Sequence, residues 1–549
     1  AQVELNEGKI DYRDEGYTDL DDLRLRNFQR YIEYNVRDVE IVERLEDKLK
    51  LIELVYALAY DAKVNYEDTM TTVKQWDVIT HNYLLDRNIV VPLNDKNKPD
   101  RAFVGGYVKD PKVGMSKWVV SFDLNSLYPH LIMQYNISPE TLVTRLKDKV
   151  SIDDLLVGGA SQFGDYLDKT NCTIAANLCI YTKEKRGFLP SIMDRMYDDR
   201  TKYKKQMIEV KKEYEKTKDP RLVKEIARLD NMQMAKKIQL NSAYGALGNK
   251  WFRWFDVNNA EAITTSGQLS IRWIENKLND YLNKLLKTEN FDYVLASDTD
   301  SVYVTLEYLV KNVFGDDVPE TKKVIQYIDK ICKERIEPFI DRSYQELAEY
   351  MHAYAQKMQM KRENIADRGI WTAKKRYILN VWNSEGVAYS EPKLKIMGIE
   401  AVKSSTPAPC RKMIKDALKI MMTGSEDDVI NFIDKSREQF RSLPPEQIAF
   451  PRTASDVQKY HSASEIYSKG TPIHVRGALL FNHYIKQKKL TNKYSLISNG
   501  EKIKFIYLKK PNTIQENIIS FIQDFPRELK LDKYVDHDLQ FEKAFLEPL

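Results

Sequence analysis

Cysteine is scarce. The 549 residues include four, Cys172, Cys179, Cys332 and Cys410, with no Cys-x-x-Cys pair and no histidine pattern beside them. This excludes a disulfide framework and offers no zinc-site spacing. Long apolar runs are missing too: no uncharged stretch reaches the roughly 18 residues of a membrane span, and no basic region followed by an apolar run opens the sequence. Gly/Ser linkers, low-complexity tracts and solenoid-length repeats are absent, which excludes fibrous, disordered and repeat architectures. What is present is 43% hydrophobic, 30% charged and 11% aromatic residues, the composition of a soluble globular protein. At roughly 150 residues per domain the chain has room for about three to four domains or lobes. We expect a cytoplasmic protein with no membrane partner.

The net charge of +4 hides an uneven distribution. Residues 1–70 carry 10 Lys/Arg against 18 Asp/Glu, whereas residues 181–250 carry 18 against 10 and residues 371–420 carry 10 against 4. Solvated helix faces produce such runs, and so do surfaces that bind polyanions.

Periodicity divides the chain further. From Leu20 to Leu58 apolar residues recur at helical spacing, which predicts one long amphipathic helix or two in sequence. Pro92, Pro99 and Pro111, with Gly105-Gly106 between them, mark irregular chain, after which Lys117–Asp123 reads as an apolar strand ending in a carboxylate. The stretch from Pro190 to Leu247, broken at Asp219-Pro220, predicts a basic helical hairpin. A helix is expected over roughly 258–287, then two short strands around a polar turn within 293–305. Residues 321–358 read as helical and Arg376–Trp382 as a strand.

Asp298-Thr-Asp300 sets two carboxylates on a tight turn between strands, and Asp123 ends a different strand. A lone Asp-x-Asp is most often a capped turn. Three such carboxylates brought to one sheet edge repel unless a divalent cation lies between them. Oxygen ligands with open positions suit Mg²⁺, which keeps waters and takes substrate phosphates as further ligands.

The wider context of these carboxylates is specific. Asp123-Leu-Asn-Ser-Leu-Tyr-Pro129, Lys237-Ile-Gln-Leu-Asn-Ser-Ala-Tyr-Gly245, Asp298-Thr-Asp300 and Lys374-Lys-Arg-Tyr377 occur in that order. Together they resemble the palm and fingers motifs of family B DNA polymerases, in the branch of the T-even phages. Glu391–Gly398, Lys403–Pro407 and Phe541–Phe545 extend the likeness toward the C-terminus. The resemblance implies a mixed α/β right-hand polymerase with an antiparallel-sheet palm, a helical fingers hairpin and a C-terminal thumb. The implied divisions are an exonuclease remnant with its connection (1–97), palm (98–186 and 250–398), fingers (187–249) and thumb (399–549).

The implied chemistry is addition of dNTPs to a primer 3′ end on template DNA, with two Mg²⁺ ions for which Mn²⁺ can substitute. By resemblance, Asp123 and Asp300 hold the ions with the Leu124 carbonyl, and Asp298 is a third carboxylate. Ser126 and Leu127 offer backbone N–H groups to phosphate. Arg200 and Lys204 on one helix, and Lys237 and Asn241 on the next, meet the triphosphate. Tyr128 is implied as a steric gate against the 2′-hydroxyl, and Tyr244 as the floor under the nascent base pair. Lys374, Lys375, Arg376 and Tyr377 are implied to touch the new duplex, and Gly105 and Gly106 to let the template approach. The family has Gly where this chain has Ser297, so a turn needing φ > 0 there would be strained.

Tyr34-x-x-x-Asp38 matches the last motif of the family's 3′→5′ exonuclease, whose other motifs are not visible. We therefore expect a split or truncated polymerase, with a separate N-terminal exonuclease chain as partner. The apolar-aromatic tail that docks on a sliding clamp is not seen. A catalytically silent nucleic-acid-binding subunit and an enzyme that makes or copies RNA are the competing readings. Intact Asp123, Asp300 and Lys237 oppose the first, and Tyr128 opposes the second.

Overall fold

The computed structural model describes residues 1–549 except 6, 11, 13–14, 18, 96–97, 99–100, 316–319 and 462–464. Pro99, taken as a mark of irregular chain, lies outside the described residues. The fold is mixed α/β with antiparallel sheets. It divides into two compact units. One comprises residues 1–8, 39–369 and 381–391, and the other residues 9–38, 370–380 and 392–549. Each has its own core, the first around Leu131, Ile132, Tyr181, Ile271 and Tyr344, the second around Phe440, Phe481, Ile506 and Phe521.

The N-terminal periodicity resolves into three helices rather than one or two: Leu20–Arg26, Phe28–Leu49 (α1) and Leu51–Ala62. Local capping overrides the continuous apolar pattern. The Asn27 side chain accepts from the Arg30 N–H, and Lys50 enters the left-handed region at φ 52°.

Gly114–Leu124 forms β1, where Trp118, Val119, Val120 and Phe122 supply the branched and aromatic side chains that pack well on a pleated sheet. Leu127–Gln134 (α2) follows at once, with Pro129 in its first turn, where a missing N–H costs nothing. The basic hairpin consists of Phe188–Thr217 (α3) and Pro220–Leu247 (α4). Lys218 turns left-handed, the Asp219 side chain caps Arg221 N at 2.9 Å, and Pro220 opens the second helix. Val257–Leu286 (α5) then crosses the core, with 17 buried residues.

Val294–Asp298 (β2) and Ser301–Thr305 (β3) form an antiparallel hairpin, and β3 pairs antiparallel with β1. Met360–Ala373 (β4), Arg376–Ser384 (β5) and Val387–Met397 (β6) complete a six-stranded sheet of order β2-β3-β1-β4-β5-β6. Ser301 lies opposite both Asp123 and Asp298. The end of β1 is thereby aligned with the β2–β3 turn.

The helical reading of 321–358 runs too far. Thr321–Ile331, a π-helical turn Cys332–Ile336 and Glu337–Tyr350 are helical, but the chain then leaves the helix. Gln134 captures it: its carbonyl accepts from Tyr354 N at 2.9 Å and its side chain from Lys357 N at 3.0 Å.

Candidate active site

The turn from β1 into α2 carries the first group of candidate residues. Asp123 ends the strand half-buried, and buried Leu124 donates its N–H to the Asp300 carbonyl at 2.8 Å. That bond ties β1 to the β2–β3 turn. Asn125 N bonds the Gln359 carbonyl, and Ser126 precedes α2 at φ 47°, a costly conformation for a residue with a Cβ.

The opposing turn is equally tight. The strain expected at Ser297 is not there, since Ser297 is a buried residue paired with Val302 in β2 and the left-handed residue is Thr299, at φ 59°. A β-branched residue in that region is held by tertiary contacts: Thr299 N donates to the Tyr107 carbonyl at 2.9 Å, and Gly106 presses against its side chain.

Asp123 and Asp300 line one cleft of about 590 Å³. Leu124, Ser126, Leu127, Tyr128, Arg200, Lys204, Lys237 and Asn241 line it too. Asp298 does not, and Thr299 Oγ1 donates to its carboxylate at 3.1 Å. Among the described residues no three His, Cys, Asp or Glu side chains are grouped to hold an ion by themselves. Two carboxylates with a backbone carbonyl beside them fit an ion that completes its shell with water and phosphate, as Mg²⁺ does, or Mn²⁺ with the same preference for oxygen.

The basic helical hairpin of α3 and α4 supplies the positive side. Arg200 is half-buried and its Nη1 donates to Ser126 Oγ at 3.3 Å, while its buried Nε has no partner. Burial pushes its pKa down, with the nearby Tyr197 opposing the shift. Consecutive lysines of α4 divide their tasks. Lys236 is buried and paired with Asp61 at 2.5 Å and Asp199 at 3.3 Å, whereas Lys237, one step round the helix, is exposed and lines the cleft.

Tyr128 and Tyr244 pack with ring centroids 4.5 Å apart. Tyr244 is outside the cleft lining and reaches the site through Tyr128. A Cβ added to Gly106 would meet Thr299 side-chain atoms at 3.0 Å and the Tyr128 hydroxyl at 3.2 Å, so this glycine lets the backbone close against the site. Gly105 has nothing within 4 Å of such a Cβ.

The Lys374–Tyr377 group is divided by the structure. Lys374 and Lys375 are exposed on the β4–β5 turn, with Lys375 at φ 61°. Arg376 is paired with Glu400 at 2.6 Å, and buried Tyr377 stacks on Trp371 at 5.8 Å. On α1, Tyr34 is buried against Tyr12, and Asp38 is paired with Lys9 at 2.7 Å.

Gln233, Asn125, Thr299 and Glu385 also line the cleft and escaped the sequence reading. Gln233 was within reach, being one helical turn before Lys237 on the same face. Glu385 was not. It reaches the cleft from the β5–β6 turn, at φ 48° with its N–H on the Glu363 carbonyl at 2.7 Å.

Comparison with known proteins places this arrangement. Residues 70–545 match the model of DNA polymerase family B. The chain is 33% identical to the DNA-directed DNA polymerase of Escherichia phage RB69 and 32% to that of Enterobacteria phage T4. Both alignments cover the whole of this chain and 65% of the relative, so the chain spans about two-thirds of their length. It is 25% identical to DNA polymerase 1 of Pyrococcus abyssi, over 92% of this chain and 55% of that protein. With a family match over most of its length, and paired carboxylates facing a basic helical hairpin, this chain belongs to DNA polymerase family B.

Proposed function

We propose that the chain catalyses template-directed addition of deoxynucleotides to a primer 3′ end. The observation that carries this reading is the single cleft shared by Asp123, Asp300, Arg200, Lys204 and Lys237. The primer 3′-oxygen attacks the α-phosphorus, the bond to the bridging oxygen breaks, and pyrophosphate departs with the electron pair. Little of this needs covalent help from protein, so positioning and charge neutralisation dominate.

Asp123 and Asp300, with the Leu124 carbonyl, are the residues that would hold two Mg²⁺ ions, which when bound activate the 3′-hydroxyl and neutralise the triphosphate. Asp298, beside them on the same turn, is the third carboxylate in this reading. Lys237 and Asn241 from α4 and Arg200 and Lys204 from α3 bind the phosphates. The buried, unpartnered Arg200 Nε supports that role, because an oxyanion would compensate its burial. The N–H groups of Ser126 and Leu127 open α2 toward the same charge. Tyr128 blocks a ribose 2′-hydroxyl, and Tyr244 supports it from behind while flooring the base pair. Gly105 and Gly106 admit the template, and Lys374 to Tyr377 act on the duplex through the two exposed lysines.

A separate exonuclease-bearing chain seated on α1 belongs to the same reading. It is supported by the exposed row Phe28, Ile32, Val36 and Val39 and by the position of Asp38 on that helix. Supplying such a chain is expected to give 3′→5′ digestion that Asp38→Ala abolishes. The test of the main proposal is primer extension by the purified chain in Mg²⁺, with dNTPs and rNTPs compared. Duplex binding without extension would leave a silent nucleic-acid-binding subunit, and equal use of rNTPs would remove the DNA-specific reading.

A further inference from the structure

A second cleft, of about 400 Å³, shares Asp123, Asn125, Lys204 and Glu385 with the first but is lined by neither Lys237 nor Tyr128. Its new walls bring Lys333 and Lys361, both exposed. Lys333 is delivered by the π-helical turn Cys332–Ile336, a rare geometry found most often at functional sites. Lys361 stands near the start of β4, only loosely paired with Glu337 at 3.6 Å and Asp341 at 3.8 Å.

The wall between them is rigid. Arg362 is buried, and its Nη1 donates to Asn383 Oδ1 at 2.8 Å, which also accepts from Gly386 N at 3.1 Å. Its Nη2 pairs with Asp329, to which Lys333 is also bound at 2.7 Å. Arg362 Nε is buried without a partner. One guanidinium thus ties together β4, the β5–β6 turn and helix Thr321–Ile331, and it lines the cleft.

We propose that this second cleft is the outlet for pyrophosphate, and that Lys333 and Lys361 are its anion-binding residues. The inference rests on the polymerase reading and goes beyond it, because that reading uses only the first cleft. Bond breaking at the α-phosphorus leaves a strongly anionic product beside Asp123 and Lys204, two of the four residues that both clefts share. Glu337, Glu363 and Glu385 line the outlet alongside its cations. Such mixed charge suits passage rather than retention, and product release often limits turnover.

The experiment measures both directions of the reaction for the double variant Lys333→Gln/Lys361→Gln on a primer–template in Mg²⁺. Losing two charged contacts to the anion is expected to raise both the KM for inorganic pyrophosphate in pyrophosphorolysis and the inhibition constant of pyrophosphate in extension by about tenfold. Because the reaction equilibrium ties kcat/KM for pyrophosphate to kcat/KM for dNTP, a contact made only after bond breaking should leave both ratios within about threefold of wild type while KM and the inhibition constant rise. Lys237→Ala, in the first cleft, should instead impair both. A tenfold fall of both kcat/KM values, which marks a transition-state contact, or unchanged KM and inhibition constants for pyrophosphate, would overturn the outlet while leaving the polymerase reading intact. A wild-type chain that neither extends nor pyrophosphorolyses a primer would overturn both. Both lysines are exposed, so the variant should fold, which an unchanged melting temperature would verify.

Discussion

The rings of Tyr128 and Tyr244 lie 4.5 Å apart, tilted by 45°, so the first turn of α2 and the last part of α4 present one aromatic surface. Burial raises the pKa of both phenols, that of Tyr244 to about 12, so both stay neutral hydroxyls at neutral pH. Gly267 of α5 lies beneath, where a Cβ would sit 3.4 Å from Tyr128 Cε1. The Tyr128 ring is therefore held from two sides, which suits the steric-gate role proposed for it.

Removing that ring should open space under the sugar. Tyr128→Ala is expected to raise the rNTP-to-dNTP ratio of kcat/KM by roughly 10- to 100-fold, the discrimination an apolar wall exerts on one added hydroxyl. An unchanged ratio would place the gate elsewhere.

Asp123→Ala and Asp300→Ala should each reduce primer extension by about a thousandfold or more while duplex affinity changes little, because each removes a carboxylate proposed to hold metal rather than a proposed DNA contact. Gel-shift and extension assays on the same preparations distinguish the two effects. Substantial extension by either variant would remove that residue from the centre.

Lys237→Ala and Lys236→Ala should differ in kind. The first should raise KM for dNTP and rNTP alike by about tenfold with a normal melting temperature. The second leaves half-buried Asp61 and the more exposed Asp199 without their cation and should cost about 1–2 kcal/mol of stability, read by denaturant unfolding. Similar behaviour of the two variants would show that the α4 face is misassigned.

Gly106→Ala pushes a methyl into Thr299 and the Tyr128 hydroxyl and is expected to lower kcat by about tenfold, as a small misplacement near the reacting atoms does. Gly105→Ala, with open space around it, is the control and should lose little. Equal activity in both would mean that the β2–β3 turn tolerates the shift.

His130 sets a pH dependence of stability. Burial lowers its pKa, with Lys357 and Arg200 adding to the effect and Asp194 and its bond to the Ser126 carbonyl opposing it. The folded state then binds fewer protons than the unfolded state, so this contribution is present at pH values above the ordinary histidine value near 6.5 and is lost as pH falls below it. Between pH 7.5 and 5.5, His130→Gln should lose less melting temperature than the wild type does. An identical loss would exclude His130 as the source.

Much of this was readable from local pattern. Asp219-Pro220 marked the hairpin break, and the structure turns there at Lys218 and caps with Asp219. The apolar strand ending in Asp123 and the turn at Asp298–Asp300 stand where they were expected, because alternation and short polar turns act over a few residues. The end of the 321–358 helix was not readable, since it is set by Gln134, more than two hundred residues away. Nor was it readable that Asp300 rather than Asp298 lines the cleft, which depends on which way a two-residue turn points.

The linear order of motifs was enough to establish the family likeness and the types of residue at the site, because residue identity and spacing are carried by the chain itself. Which of those residues meet was settled by long-range pairing: the register of β1 on β3, the Leu124–Asp300 bond, and the packing of Gly106 on Thr299. The division of labour between Lys236 and Lys237, the left-handed turn at Thr299 and the arrival of Glu385 have the same origin. Burial and backbone strain arise when distant segments exclude water and brace one another, and no local window of sequence contains both partners.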